Sequence, residues 1–168
     1  MSDIKLQRAI HQIILARLAK MNRAELKTPQ CYFDAGTRIV LELGKYCVSK
    51  DIDFMCSSHV GYRRLREAIA DNSLGPIFKS KIVLAREVRA DQYGIRTVIN
   101  ASQEKIKFEI VREGRIDLMH ESILQLPVPC LTREHAFAEK FLANADRGLD
   151  ASTLSRDATD LAYMTAGW

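Results

Sequence analysis

This chain reads as an α+β protein, a mixed sheet with helices before it, across it and after it. Three observations carry that reading. Residues 4–24 show helical spacing, residues 82–111 alternate with a period of two, and helical spacing returns after Pro127-Val128-Pro129. With 168 residues, 47% hydrophobic and 27% charged, the chain suits one compact core with at most a small appended lobe.

Taken in order, Leu6, Ile10, Ile13, Ile14, Leu18 and Met21 fall on one helical face, and Thr28-Pro29 breaks the run. Residues 31–33 form a short apolar strand. Residues 37–47 carry Ile39, Val40, Leu41 and Leu43, predicting a buried helix that ends near Gly44. Residues 51–56 alternate as a second strand. Residues 62–70 predict a third helix, stopped by the turn formers at 72–76.

Segments 82–89, 96–100 and 106–111 predict three strands in an antiparallel meander. Its turns fall at Asp91-Gln92-Tyr93-Gly94 and Ala101-Ser102-Gln103-Glu104, and a brief fourth strand is expected at 115–118. Helices at 132–147 and 152–165 close the chain. Thr132 caps the first with Glu134 in its opening turn, and Ser152 or Ser155 caps the second. No internal repeat or low-complexity segment interrupts this order. The expected organisation is an N-terminal helix at 1–28 packed on the core, the core itself at 29–128, and a C-terminal helical lobe at 129–168.

Composition excludes several classes. No apolar run approaches the roughly 20 residues that span a bilayer. The start, Met-Ser-Asp, leads into an amphipathic segment without a signal-cleavage pattern, so a cytoplasmic location is expected. Cys31, Cys47, Cys56 and Cys130 are scattered, with no Cys-x-x-Cys and no histidine at zinc-ligand spacing; buried free thiols are the expectation. The net charge of +4 permits a nucleotide or RNA partner without demanding one.

The chemistry concentrates at residues 33–54. Gly36-Thr37 stands where a strand hands over to a helix, so free backbone N–H groups and the positive helix end converge there as an anion site. Taken alone, the pair is also what a plain turn with a threonine cap would show. Asp51-Ile52-Asp53-Phe54 then places two carboxylates on one strand face with Ile52 and Phe54 on the other. Two adjacent like charges call for a cation between them, and Mg2+ with bound phosphates satisfies that need. A third carboxylate comes from Lys107-Phe108-Glu109-Ile110-Val111, where Phe108 and Ile110 face inward while Lys107 and Glu109 share the other face. Glu109 completes a metal cage, acts as a general base on an attacking hydroxyl, or is half of a surface Lys-Glu pair.

Lys140 lies in a helix otherwise apolar at Phe137, Phe141 and Leu142. Asp157 and Asp160, three apart on one helical face beside Arg156, can orient it, bind base or ribose, or serve as cap and salt-bridge residues. Arg63, Arg64 and Arg66, with Arg86, Arg89 and Arg96 on the meander, read mostly as solvated faces with the option of lining an RNA groove. His11, His59, His120 and His135 show no nucleophile or metal grouping.

Four patches in order across residues 30–164 resemble the AbiEii/AbiGii-type toxin family of nucleotidyltransferases, within the DNA polymerase beta-like superfamily. They are residues 33–54, similar to Gly-Gly/Ser followed after a gap by Asp-h-Asp/Glu; residues 107–111, similar to a Lys-x-acid-h-h element; Ala138-Glu139-Lys140-Phe141-Leu142-Ala143, similar to a helical lysine motif; and residues 155–161, similar to an Arg-Asp-x-x-Asp-Leu ending. The resemblance implies an NTP substrate, a two-metal Mg2+ site, and transfer of NMP to an acceptor hydroxyl, a tRNA 3′ end in several relatives, by the toxin of a toxin–antitoxin or phage-defence pair. Carried over, it implies Gly36, Thr37 and Lys107 at nucleotide phosphates, and Asp51, Asp53 and Glu109 at the metals. Lys140 becomes a phosphate contact, with Asp157 and Asp160 in support. This chain has Ala35 where the family has the first glycine and Cys47 where many relatives have arginine. The family also implies a helical tail running past Trp168. The alternative is a catalytically degenerate relative that serves as a nucleotide-binding or regulatory partner, which Ala35 and Cys47 favour.

Overall fold

The computed structural model describes residues 2–44, 48–70, 72–153 and 155–168; of residues 2–8, Ala35 and Thr153 only the backbone is described. The architecture is α+β, as expected, with one seven-stranded mixed sheet and helices on both of its faces. In chain order the elements are α1 (Ser2–Ala19), α2 (Arg23–Lys27), β1 (Cys31–Asp34), α3 (Ala35–Glu42), β2 (Ile52–Cys56) and α4 (His59–Glu67). There follow β3 (Leu84–Ala90), β4 (Gly94–Ala101), β5 (Glu104–Arg112), β6 (His120–Glu121), β7 (Cys130–Leu131), α5 (Arg133–Arg147) and α6 (Arg156–Gly167).

Across the sheet the order is β3-β4-β5-β2-β1-β7-β6. The expected meander is present as β3, β4 and β5, with its turns where the Asp-Gly and Ser-Gln sequences place them. Asp91 Oδ1 accepts from the backbone N–H of Tyr93 at 2.7 Å and of Gly94 at 3.0 Å, the side-chain bond that makes aspartate a turn former. β2 pairs parallel to β5 and antiparallel to β1, so the strand bearing the acidic pair sits at the centre of the sheet.

Alternation decides what each face carries. On one side Phe33, Ile52, Phe54, Ile95, Ile99, Ile106, Phe108 and Ile110 pack under Ile10, Ile14 and Leu18 of α1, Leu26 of α2, and Tyr62 and Leu65 of α4. The rings of Phe33, Phe54 and Phe108 follow one another at centroid separations of 5.5 and 6.3 Å. Such pairs each add about 0.5–1.5 kcal/mol beyond area burial. On the other side Tyr32, Ile39, Leu131, Ala136 and Met164 form a smaller apolar cluster beneath α3, α5 and α6.

Several expectations need correction. The N-terminal helix is two helices: Met21 pairs with Phe78 as a β-bridge and the Asn22 N–H donates to the Ile77 carbonyl at 2.8 Å, which diverts the chain before α2 begins. The third helix starts at His59, three residues early, because the Ser58 hydroxyl accepts from the Gly61 N–H at 3.0 Å. No strand forms at 115–118. Arg115 instead folds back onto Glu113 through its backbone N–H and guanidinium, and the short strand comes later, at His120–Glu121. α3 ends at Glu42, with Gly44 at a φ of +88° just beyond; residues 45–47, and so Cys47, lie outside the described residues. Thr132 does cap α5, accepting from the His135 N–H. Ser152 lies before α6 in a short 3-10 turn, and Ser155, with a left-handed φ of 54°, forms no side-chain cap bond.

Cys31, Cys56 and Cys130 are buried free thiols. Among the described residues no helix is long and apolar enough to cross a membrane.

Candidate active site

The site grows from a register. In β1, β2 and β5 the partners Asp34↔Asp53 and Asp53↔Glu109 lie in one row. Register partners project from the same face. The residues that flank the row, Phe33, Ile52, Phe54, Phe108 and Ile110, face the main core. Asp51 stands one residue before β2 begins, and its charge bears strongly on Asp53. Asp53 and Glu109 therefore share a face with a third carboxylate, Asp34, that the reading left without a role, and Asp51 lies near enough for its charge to act on Asp53.

Burial and the crowding of charge act together on Asp53. Burial, then the charges of Asp51, Glu109 and Asp34, push its carboxyl up to about 7, with Lys107 pulling the other way. Glu109 has a different environment. Lys107 Nζ lies 2.9 Å from one of its oxygens and Arg96 Nε donates to the other at 2.6 Å. Despite its burial, those two cations hold Glu109 below the usual carboxylate range.

Next to this row is the mouth of α3. Asp34 is the residue before the helix, Ala35 its first residue, and Gly36 and Thr37 are both buried. Thr37 Oγ1 and Ser49 Oγ are 2.6 Å apart, and Arg156 Nη2 donates to Ser49 Oγ at 2.8 Å. A Cβ at Gly36 would come within 3.1 Å of Arg156 Nη2 and 3.4 Å of Asp160 Oδ2, so the absence of a side chain there lets α6 close on α3. The helix itself is fixed by Arg38, fully buried beneath it. Its guanidinium reaches Glu42 at 2.8 Å, Glu121 at 2.8 Å and the Leu131 carbonyl, and lies 4.9 Å from the centre of the Trp168 ring.

Lys140, Asp157 and Asp160 form a second, buried cluster where α5 meets α6. Lys140 Nζ is 2.8 Å from Asp160 Oδ2 and 3.1 Å from Asp157 Oδ1. Arg147 joins it, with Nε 2.7 Å and Nη2 3.1 Å from the Asp157 oxygens. Burial alone would lower Lys140; the charges of Asp160, Asp34 and Asp157 outweigh it and hold the ammonium above its ordinary range. Asp34 thus acts electrostatically on both Asp53 and Lys140, which ties the carboxylate row to the helical cluster.

Sequence reading missed Asp34, Arg147 and the Arg156–Ser49 contact. Asp34 ends a strand buried along its whole length, so no alternation marks its side chain as pointing to a site. The Arg156–Ser49 contact spans 107 residues, beyond any local pattern.

All four carboxylates are hard oxygen donors, and the repulsion that adds to burial in lifting Asp53 is what a divalent cation relieves, so the donor set suits Mg2+. Among the described residues no three such side chains are already gathered closely enough to hold an ion, and Glu109 is turned toward Arg96 and Lys107.

A family described as nucleotidyl transferase AbiEii toxin, type IV TA system, matches residues 18–167. No curated protein matches the chain. Of solved structures, JHP933 from Helicobacter pylori aligns at 16% identity and a TM-score of 0.44, covering 83% of this chain and 56% of its own. The Megavirus polyadenylate synthase aligns at 11% identity and a TM-score of 0.43, covering 92% of this chain and 33% of its own. This chain therefore spans a little over half the length of JHP933. With the family match running nearly end to end, the chain belongs to the nucleotidyl transferase AbiEii toxin family of type IV TA systems.

Proposed function

We propose that this protein is a Mg2+-dependent nucleotidyltransferase that moves NMP from an NTP to an acceptor hydroxyl, a tRNA 3′ end being the acceptor the family suggests. One observation carries the reading. Asp53 and Glu109 are register partners, with Asp51 and Asp34 beside them, at the amide-rich mouth of α3.

In this scheme Gly36 and Thr37 receive the triphosphate on backbone amides and a hydroxyl, with Lys107 adding charge. Asp51, Asp53 and Glu109 would hold the metal ions, which would supply charge neutralisation at the transferred phosphate. The row orients the acceptor hydroxyl in line with the α-phosphorus. A bond forms from the acceptor oxygen to that phosphorus, the bond to pyrophosphate breaks with its electron pair, and the hydroxyl proton passes to a carboxylate of the row. Lys140, held by Asp157 and Asp160, ties α5 to α6 within the lobe at 129–168, while the Arg156–Ser49 bond joins that lobe to the nucleotide end of the 29–128 core. The biological role is that of a cytoplasmic toxin opposed by an antitoxin protein, in a toxin–antitoxin or phage-defence pair.

The test is incubation of the full chain with Mg2+, RNA and each α-labelled NTP. Label should reach RNA with the wild type and not with Asp53→Ala, whose circular dichroism should match. Full transfer by Asp53→Ala overturns the assignment.

A second reading is favoured by the clamp on Glu109: a catalytically degenerate nucleotide-binding or regulatory partner. Thermal shift read beside the transfer assay separates the two. A nucleotide at 100 times its dissociation constant adds about 2.7 kcal/mol, so a Mg2+-dependent shift without transfer to any acceptor supports this second role.

A further inference from the structure

We infer that the open half of the sheet, β3 to β5, is the platform on which a polynucleotide acceptor lays its phosphates while its end reaches the carboxylate row. The inference rests on the transferase reading above and says where the acceptor goes.

The row of carboxylates continues across the sheet. Glu109 pairs with Arg96 of β4, and Arg96 pairs with Arg89 of β3. The next row runs from Lys107 through Val98 to Arg86. Register partners share a face, so Arg86, Arg89, Arg96, Lys105 and Lys107 all stand on the side of Asp53. Alternation by itself would not bring both β3 arginines there. The register shifts between Leu84 and Arg86, and again between Arg86 and Arg89, as a bulged strand does when it re-aims its side chains. Leu84 pairs with the buried Ile99, and Val88 faces the core, which leaves both guanidiniums outward.

Among the described residues, most side chains on this part of the face are open to solvent. α3 packs on β1, β2 and α6, and α5 on α6, while Arg86, Arg89, Asn100, Lys105 and Lys107 are exposed. Among the described residues, Arg86, Arg89 and Lys105 make no ion pair, in contrast to Arg63 with Glu67 on α4, across the sheet. Lys81 and Arg86 also line an open groove along the outer edge of β3.

Charge changes sign once along the row, from carboxylates at the centre to guanidiniums at the edge. Strand spacing puts Arg89 about 10 Å from Glu109, within reach of the last few phosphates of a strand whose terminal hydroxyl lies at Asp53. A neutral small acceptor has no use for such a series of cations. A polyanion does, and neutralising its phosphates releases counterions.

The experiment measures binding of a labelled single-stranded oligoribonucleotide to the full chain by fluorescence anisotropy across a salt series. Arg86→Glu/Arg89→Glu should weaken binding roughly tenfold or more at low salt and flatten the salt dependence by about 1.4 logarithmic units per decade, two lost contacts at about 0.7 each. Its Mg2+-dependent thermal shift with NTP should equal that of the wild type. The control Arg63→Glu/Arg64→Glu should bind the strand unchanged. An unchanged salt slope in the β3 variant overturns the platform, as does an equal loss in the α4 control or a wild type that binds no strand at any salt. Loss of the NTP shift in the wild type strikes instead at the transferase reading, so the two failures are distinguishable.

Discussion

Asp53→Asn should make the cation-free protein more stable at pH 8 while changing little near pH 4. Burial, with Asp51, Glu109 and Asp34 behind it, raises the Asp53 carboxyl from 3.8 to about 7. At 1.36 kcal/mol per unit, ionising it inside the fold is unfavourable by up to about 4 kcal/mol, a ceiling that solvent reaching this half-buried group will lower. Because the folded protein holds the proton more tightly than the unfolded chain, this contribution is fully present below the unfolded value near 3.8 and is lost as pH rises through about 7. Asparagine does not titrate and escapes the loss. Urea unfolding in EDTA at several values between pH 4 and pH 8 should show the variant's advantage growing with pH to about 1 kcal/mol or more. Adding Mg2+ at pH 8 should stabilise the wild type and leave Asp53→Asn unmoved. A stability gap that is flat with pH, or a variant weaker than wild type at pH 8, refutes the claim that the row is electrostatically strained.

Three further outcomes follow from the packing. Lys140→Met leaves Asp157 and Asp160 buried beside each other with one cation fewer, so urea unfolding should reveal a loss of about 3–5 kcal/mol. Gly61→Ala puts a methyl 2.3 Å from the Pro29 Cα, a backbone atom that cannot step aside; the melting temperature should fall by an amount equivalent to about 3 kcal/mol. Gly36→Ala meets the mobile end of Arg156 at 3.1 Å instead, so stability should change by less than about 1 kcal/mol while the NTP-induced thermal shift shrinks.

The parts of this molecule that were legible are those governed by short periods. Residues 94–111 alternate because one face of β4 and β5 is core and the other is open, and the same period put Asp51 with Asp53, and Glu109 with Lys107, on the non-core faces of their strands. Where a strand is buried on both faces, as β1 is, period carries no such information and Asp34 went unassigned. β6 and β7, two residues each, are too short to leave a pattern; they pair with each other and β7 with β1, and Arg38 binds Glu121 of one and the Leu131 carbonyl of the other. The grip of α6 on α3 was hidden for a similar reason. Arg156 and Ser49 are neighbours only after folding, whereas the meeting of Lys140 with Asp157 and Asp160 is one of the roles left open for those carboxylates in the sequence. The β3 irregularities, which set the direction of Arg86 and Arg89, depend on pairing with β4 and are equally invisible in the linear sequence.

The account turns on the row of acidic side chains being the place where a divalent cation meets the nucleotide. Electron paramagnetic resonance can test that directly by titrating Mn2+ into the full chain with an NTP present. The wild type should sequester Mn2+–NTP and broaden its signal beyond that of Mn2+–NTP alone, and Asp51→Asn/Asp53→Asn should leave the Mn2+–NTP signal unchanged while remaining folded. Equal sequestration by the two proteins would contradict the account.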